Sequence, residues 1–170
     1  MSHDSIQLLI DGRYPDPDGA GYLGIPTRSI VIEDSLAGHE ADLVRGAGLS
    51  GRLAVVTDPD THDAMGERIL DALARVGDVE SVILDRHPHA DETTAESLEA
   101  RTGHCKALVA VGSGTINDLC KYAAARLDKP YAVFATAPSM NGYTSANAAI
   151  TVDGHKKSLP ASVPAGVFVD

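Results

Sequence analysis

Short β-branched runs alternate along the chain with longer segments whose apolar positions recur at helical spacing, the signature of a parallel α/β sheet. The first run, Ile30-Val31-Ile32, leads into a helix expected from Ser35 to Arg45 and closed by Gly46 and Gly48. Leu53-Ala54-Val55-Val56 predicts a second strand. The helix expected after it, Thr61 to Arg75, carries Ala64, Ile69, Leu70 and Leu73 on one face. Ser81-Val82-Ile83-Leu84 reads as a third strand, followed by a short polar helix from Asp91 to Arg101. Ala107-Leu108-Val109-Ala110-Val111 is apolar on both faces and so belongs at the centre of the sheet. The strongest helical pattern comes next, Thr115 to Leu127, with Ile116, Leu119, Ala123 and Leu127 at core spacing. Pro130 precedes a fifth strand, Tyr131 to Ala135. Beyond Thr136 the helical alternation stops: Ala148–Val152, the Asp153-Gly154 turn and Lys157–Leu159 spell a hairpin, and Gly166 to Asp170 one more strand.

Residues 11–26 concentrate Gly, Pro and Asp without a periodic apolar face. The division expected is therefore an amino-terminal arm or loop over residues 1–25 and a Rossmann-like α/β domain over 26–170. Because it ends on a strand, without the helix that α/β order supplies next, the chain is expected to be a fragment of a larger protein.

Composition narrows the function classes. With 170 residues, 44% hydrophobic and 22% charged, the chain is an ordinary globular one, and a formal net charge of -10 argues against nucleic acid or an anionic membrane as partner. No stretch approaches the roughly 20 apolar residues of a membrane span, and Met1-Ser2-His3-Asp4 does not open a signal peptide. Cys105 and Cys120 show no CxxC or paired-His spacing and read as buried reduced thiols, which favours the cytoplasm.

Three clusters carry candidate chemistry. In Gly112-Ser113-Gly114-Thr115-Ile116-Asn117-Asp118 a hydrophobic strand enters a glycine turn and then a helix. Glycines let backbone approach a phosphate, and free amides at a helix start bind an anion. The alternative is a tight turn with Thr115 as its cap. Asp58, at the end of the second strand, suits the hydroxyls of an adenosine ribose and repels a 2′-phosphate, or it simply caps the following helix. Thr136 to Ser145 is a run of small and hydroxyl residues at the mouth of the fifth strand, expected to face the same crevice, the alternative being a solvated loop. His155, Lys156 and Lys157 form the one compact basic cluster, suited to a substrate phosphate or to plain solvation of a hairpin. His87 and His89, separated by a proline, make a poor chelate.

Taken together, Val111–Asp118, Thr136–Ser145 and Gly154–Lys157 closely resemble the sn-glycerol-1-phosphate dehydrogenase branch of the superfamily of iron-containing alcohol dehydrogenases, glycerol dehydrogenases and dehydroquinate synthases. The resemblance implies an amino-terminal NAD(P)-binding domain and an all-helical second domain absent here. It places the adenosine ribose on Asp58 and the pyrophosphate on Gly114, Thr115, Ile116, Asn117 and Asp118, with Gly112 and Ser113 also among the cofactor-binding residues. Thr136, Ala137, Pro138, Ser139 and Ser145 would line the nicotinamide half, and Lys121 matches a commonly basic position on the glycine-turn helix. Asn141 stands where the family has a substrate-binding aspartate; an amide still hydrogen-bonds a hydroxyl but neither acts as a base nor balances a metal's charge. The divalent metal, Zn, Ni or Fe, is held in the family by an aspartate and two histidines of the helical domain, so no metal ligand and no catalytic residue is assigned here. The implied activity is reduction of dihydroxyacetone phosphate with NAD or NADP, by a polypeptide inactive without a helical domain or homo-oligomeric partner. Rival readings are a dehydroquinate-synthase-like lyase domain and a non-catalytic nucleotide- or partner-binding module.

Overall fold

The computed structural model describes residues 3–137 and 139–170. Its centre is a six-stranded, wholly parallel sheet in the order β3-β10-β7-β6-β4-β5, formed by β3 (Ser29–Ile32), β4 (Leu53–Thr57), β5 (Val79–Ile83), β6 (Ala107–Gly112), β7 (Tyr131–Ala135) and β10 (Gly166–Val169). β4, β6 and β7 are buried along their whole length, as their uninterrupted apolar runs require of strands covered on both faces.

Side-chain alternation sends successive residues to opposite faces, so the sheet carries two cores. Ala54, Val56, Leu108, Ala110 and Val133 pack under α5 (Glu92–Thr102) and α6 (Gly114–Arg126). On the other face Val55, Val109, Val111, Phe134 and Phe168 pack under α2 (Glu40–Gly46) and α4 (Glu67–Ala74), with Phe134 and Phe168 in tilted contact, ring centroids 4.9 Å apart.

The helix expected from Ser35 begins instead at Glu40. Gly38 takes a left-handed φ of +87°, its amide is held by the Glu40 carboxylate, and the Leu36 amide donates to Asp170, so residues 33–39 form a turn that binds the end of β10. The next helix begins at Pro59 (α3, Pro59–Thr61) and passes through a π-turn, His62–Gly66, into α4. Gly66 lies at that turn, where a Cβ would come within 2.7 Å of Thr57 Cγ2: the helix leans directly on β4. The hairpin is an antiparallel ladder of β8 (Asn147–Val152) and β9 (His155–Pro160), as its Asp153-Gly154 turn predicts. In the amino-terminal stretch, helix α1 (His3–Ile10) precedes a two-residue ladder of β1 (Tyr14–Pro15) and β2 (Tyr22–Leu23). Among the described residues no helix is long and apolar enough to cross a membrane.

Connectivity places the crevice. From β4 the chain crosses over one face to β5, and from β6 it crosses over the other face to β7, in the opposite lateral direction. β4 and β6 are neighbours, so their carboxyl ends flank the point where the winding reverses, which is where open parallel sheets take up ligands.

Candidate nucleotide cleft

At that point the backbone leaves β6 at Gly112 and enters α6 at Gly114. Ser113 is the flanking residue, and its side chain makes no capping bond. The first intrahelical bond runs from the Asn117 amide to Ser113 O at 2.8 Å. The amides of Gly114, Thr115 and Ile116 therefore point out of the helix with no partner among the described residues, at the positive end of its dipole. The two glycines differ in what they permit. A Cβ at Gly112 would sit 2.6 Å from Ile116 Cβ, so this glycine lets α6 close onto its strand. At Gly114 a Cβ would meet nothing within 4 Å.

Across the reversal point stands Asp58. Its Oδ1 accepts the Thr61 amide at 2.8 Å while its own amide donates to Thr61 Oγ1 at 3.0 Å, a reciprocal cap that opens α3. The capping and ligand readings of Asp58 are thus compatible. One oxygen is held by the helix, and the other has no protein partner among the described residues. Asp58, Thr61, Ser113, Thr115 and Ile116 line one cavity of about 240 Å³, with His87 and Pro88 also in its lining.

Residues 31–170 match the family of iron-containing alcohol dehydrogenases. The chain belongs to that family. Among its curated relatives are glycerol-1-phosphate dehydrogenases, NAD(P)+, of Methanothrix thermoacetophila, 31% identical over 151 residues, and of Bacillus subtilis, 32% identical over 158. Each alignment covers 89% of this chain but only 42% and 40% of the relative. Matching folds include the glycerol dehydrogenase of Schizosaccharomyces pombe, at TM-score 0.72 and 19% identity over 85% of this chain and 37% of that one. The sulfoacetaldehyde reductase of Bifidobacterium kashiwanohense, solved with NAD+, superposes at TM-score 0.73 and 22% identity over 86% of this chain and 45% of that one.

Within this iron-containing alcohol dehydrogenase domain the other sequence-derived positions divide in two. The side chains of Asn117 and Asp118 turn away from the cavity. Asn117 is fully buried, its Oδ1 accepting from Tyr131 Oη at 3.4 Å. Asp118 accepts the Ala149 amide at 3.3 Å and so ties α6 to the hairpin; burial raises its carboxyl above the ordinary range, against the pull of that amide, Lys121 and Lys156. The hydroxyl-rich segment leaves β7 beside the glycine turn, with the Thr136 amide donating to Gly112 O at 3.3 Å. Its fold is internal: Tyr143 Oη donates to Ala137 O at 3.0 Å, and Met140 Sδ accepts the Gly142 amide at 2.9 Å. Ser145 Oγ is taken up by the backbone of Asn147, whereas Ser139 and Asn141 are exposed. Pro138 lies outside the described residues.

Two features escaped the sequence reading. His87 and Pro88 line the cavity, and His87 holds a left-handed φ of +55° while Arg86 pairs with Asp60 of α3. Their one signal was position, directly after a strand that ends at the same crevice. The second is the burial of Lys121, which the resemblance matched only as a basic position on the glycine-turn helix: its Nζ donates to Gly142 O at 2.7 Å and Asn147 O at 3.3 Å inside the fold. Burial lowers its pKa, with Asp118 opposing the shift. His155, Lys156 and Lys157 lie exposed along β9.

Proposed function

We propose that this chain is the nucleotide-binding half of an NAD(P)-dependent glycerol-1-phosphate dehydrogenase, which interconverts dihydroxyacetone phosphate and sn-glycerol 1-phosphate. The observation that carries the reading is the uncapped amino end of α6 at the reversal point of the sheet, facing a carboxylate with one free oxygen. The three open amides would hold the pyrophosphate, and the Thr115 hydroxyl would add a donor. The free Asp58 oxygen would accept from the adenosine ribose. In the same cavity a 2′-phosphate would meet a carboxylate, which favours NAD over NADP. Thr136, Ala137, Pro138, Ser139 and Ser145 would run beside the nicotinamide half, with Asn141 toward the substrate hydroxyls. Residues 26–170 would form the nucleotide-binding domain and residues 1–25 its arm.

The bound dinucleotide supplies the hydride chemistry, donating to or accepting from the carbon that bears the substrate oxygen. The part left to these residues is to orient it and to keep its phosphates neutralised. A divalent metal, Zn, Ni or Fe, does not fit the cleft as this chain builds it: Asn141 is neutral, and among the described residues no trio of His, Cys, Asp or Glu gathers there. Its ligands would belong to a helical second domain, on this chain's continuation or a homo-oligomeric partner, and without it the chain turns over no substrate. The substrate class is a small polyol phosphate, with neither nucleic acid nor membrane as partner, and the setting is the cytoplasm.

Calorimetric titration tests the reading. NAD+ saturates a single site per chain, NADP+ binds more weakly, and ATP does not compete at equal concentration. Saturable ATP binding with no NAD+ binding would overturn it.

A further inference from the structure

At the amino ends of the strands, the edge of the sheet opposite the cleft, three side chains converge that nucleotide binding leaves without a task. Glu80 is the second residue of β5, while His104 and Cys105 lie in the turn between α5 and β6. His104 Nε2 is 2.6 Å from Glu80 Oε2, and Cys105 Sγ is 4.0 Å from the same oxygen. One ligand atom from each of the three falls within 4.8 Å of the others, and no other such trio is found among the described residues. Cys105 is buried while the His104 and Glu80 side chains are 48% and 38% exposed, so a sulfur floor lies under a mouth of imidazole and carboxylate.

The surroundings suit a cation. The carboxyl end of α5, the negative pole of an eleven-residue helix, terminates at this turn. Two cations stand close, but each is already engaged: Arg52 with Asp78 at 2.7 Å, and Lys129 with the carbonyls of Thr102 and Gly103 at 3.0 and 2.7 Å. Glu80 and Asp78 offset them, leaving the pocket near neutral before the thiol ionises.

We propose that Glu80, His104 and Cys105 form a binding site for a zinc-class divalent ion, distinct from the nucleotide cleft. Zinc bonds of about 2.3 Å to sulfur and about 2.0–2.2 Å to nitrogen and oxygen imply ligand-to-ligand edges of roughly 3.3–3.8 Å. The separations of 2.6 Å and 4.0 Å bracket that range, so side-chain rotation that opens the His104–Glu80 contact and draws in the thiol completes three corners of a tetrahedron. The exposed mouth leaves the fourth corner to water. With nitrogen and sulfur among only three donors, hard Mg²⁺ and Ca²⁺ are disfavoured. On binding, the metal–sulfur bond replaces the Cys105 S–H bond and the proton leaves to solvent; no oxidation state changes. The sequence reading of Cys105 as a buried reduced thiol with no metal to bind is thereby revised: its partners are its chain neighbour His104 and Glu80 of β5, which no CxxC spacing announces.

Cobalt(II) titration of the reduced chain tests this. The expected result is a saturable thiolate-to-cobalt charge-transfer band in the near ultraviolet, displaced by Zn²⁺. Cys105→Ser abolishes it, Cys120→Ser leaves it intact, and His104→Ala or Glu80→Gln, both at the surface, weaken binding at least about 10-fold. Absence of the band, its survival in Cys105→Ser, or indifference to both His104→Ala and Glu80→Gln overturns the site. NAD+ titration of the same samples reports on the cleft independently.

Discussion

Asp58 serves two ends with two oxygens, and substitution separates them. Asp58→Asn keeps an acceptor for the Thr61 amide, so stability holds while the charge that repels a 2′-phosphate disappears. The expected outcome is an unchanged melting temperature with NADP+ affinity rising toward that for NAD+. Asp58→Ala, which also loses the cap, costs about 1 kcal/mol in denaturant unfolding. At Gly112 any side chain collides with Ile116; Gly112→Ala is expected to destabilise by about 1–3 kcal/mol and to weaken nucleotide binding with it, since the cradle amides ride on that contact. These positions were legible because their chemistry is local: a glycine turn after an apolar strand, an acid before a proline. His87 was not, because a histidine in a polar loop becomes a cavity wall only through the placement of β5 beside β4.

α6 does more than present its amino end. Through Asp118 and Lys121 it also carries the hairpin and the segment from Thr136 to Asn147. Lys121→Met leaves two carbonyls without their donor and Asp118 without its compensating charge, at an expected cost of about 3 kcal/mol. Hydrogen exchange locates the effect: amides of residues 142–149 exchange faster in the variant, while those of β4 and β6 keep their protection until global unfolding. A lysine at core spacing on a helix is indistinguishable by pattern from one on a solvated face, so this tie could not be read from periodicity. The same limit explains the late start of α2, where Gly38 and the tertiary contact from Leu36 to Asp170 displaced a helix that local pattern favoured. Strands β4, β6 and β7, written as apolar runs with turn residues at their ends, were read at nearly their true bounds.

For the whole molecule, the doubly wound sheet was legible from the alternation of runs and helices, but strand order was not. The return of β10 to lie between β3 and β7 depends on pairing across most of the chain. The sealed core around α6 and β7 also sets the response to alkali. Burial raises the pKa of Cys120 above its ordinary 9.0 and of Tyr131 above its ordinary 10.0, with Cys105 and Tyr143 shifted the same way. The unfolded chain ionises first, so the stability these groups contribute is whole below pH 9.0 and drains away as pH rises beyond it. Lys121, lowered by burial, acts in the opposite sense below its ordinary 10.5, one base against four acids. Unfolding free energy is therefore expected to fall above pH 9.0, and Cys120→Ala to flatten that fall.

The anion cradle at the start of α6 is tested most directly by amide chemical-shift mapping during NAD+ titration. The amides of Gly114, Thr115 and Ile116 should show the largest shifts, those facing Asp58 smaller ones, and those around Glu80 at the far edge none. Saturation that leaves these three amides unmoved while shifts gather elsewhere would contradict it.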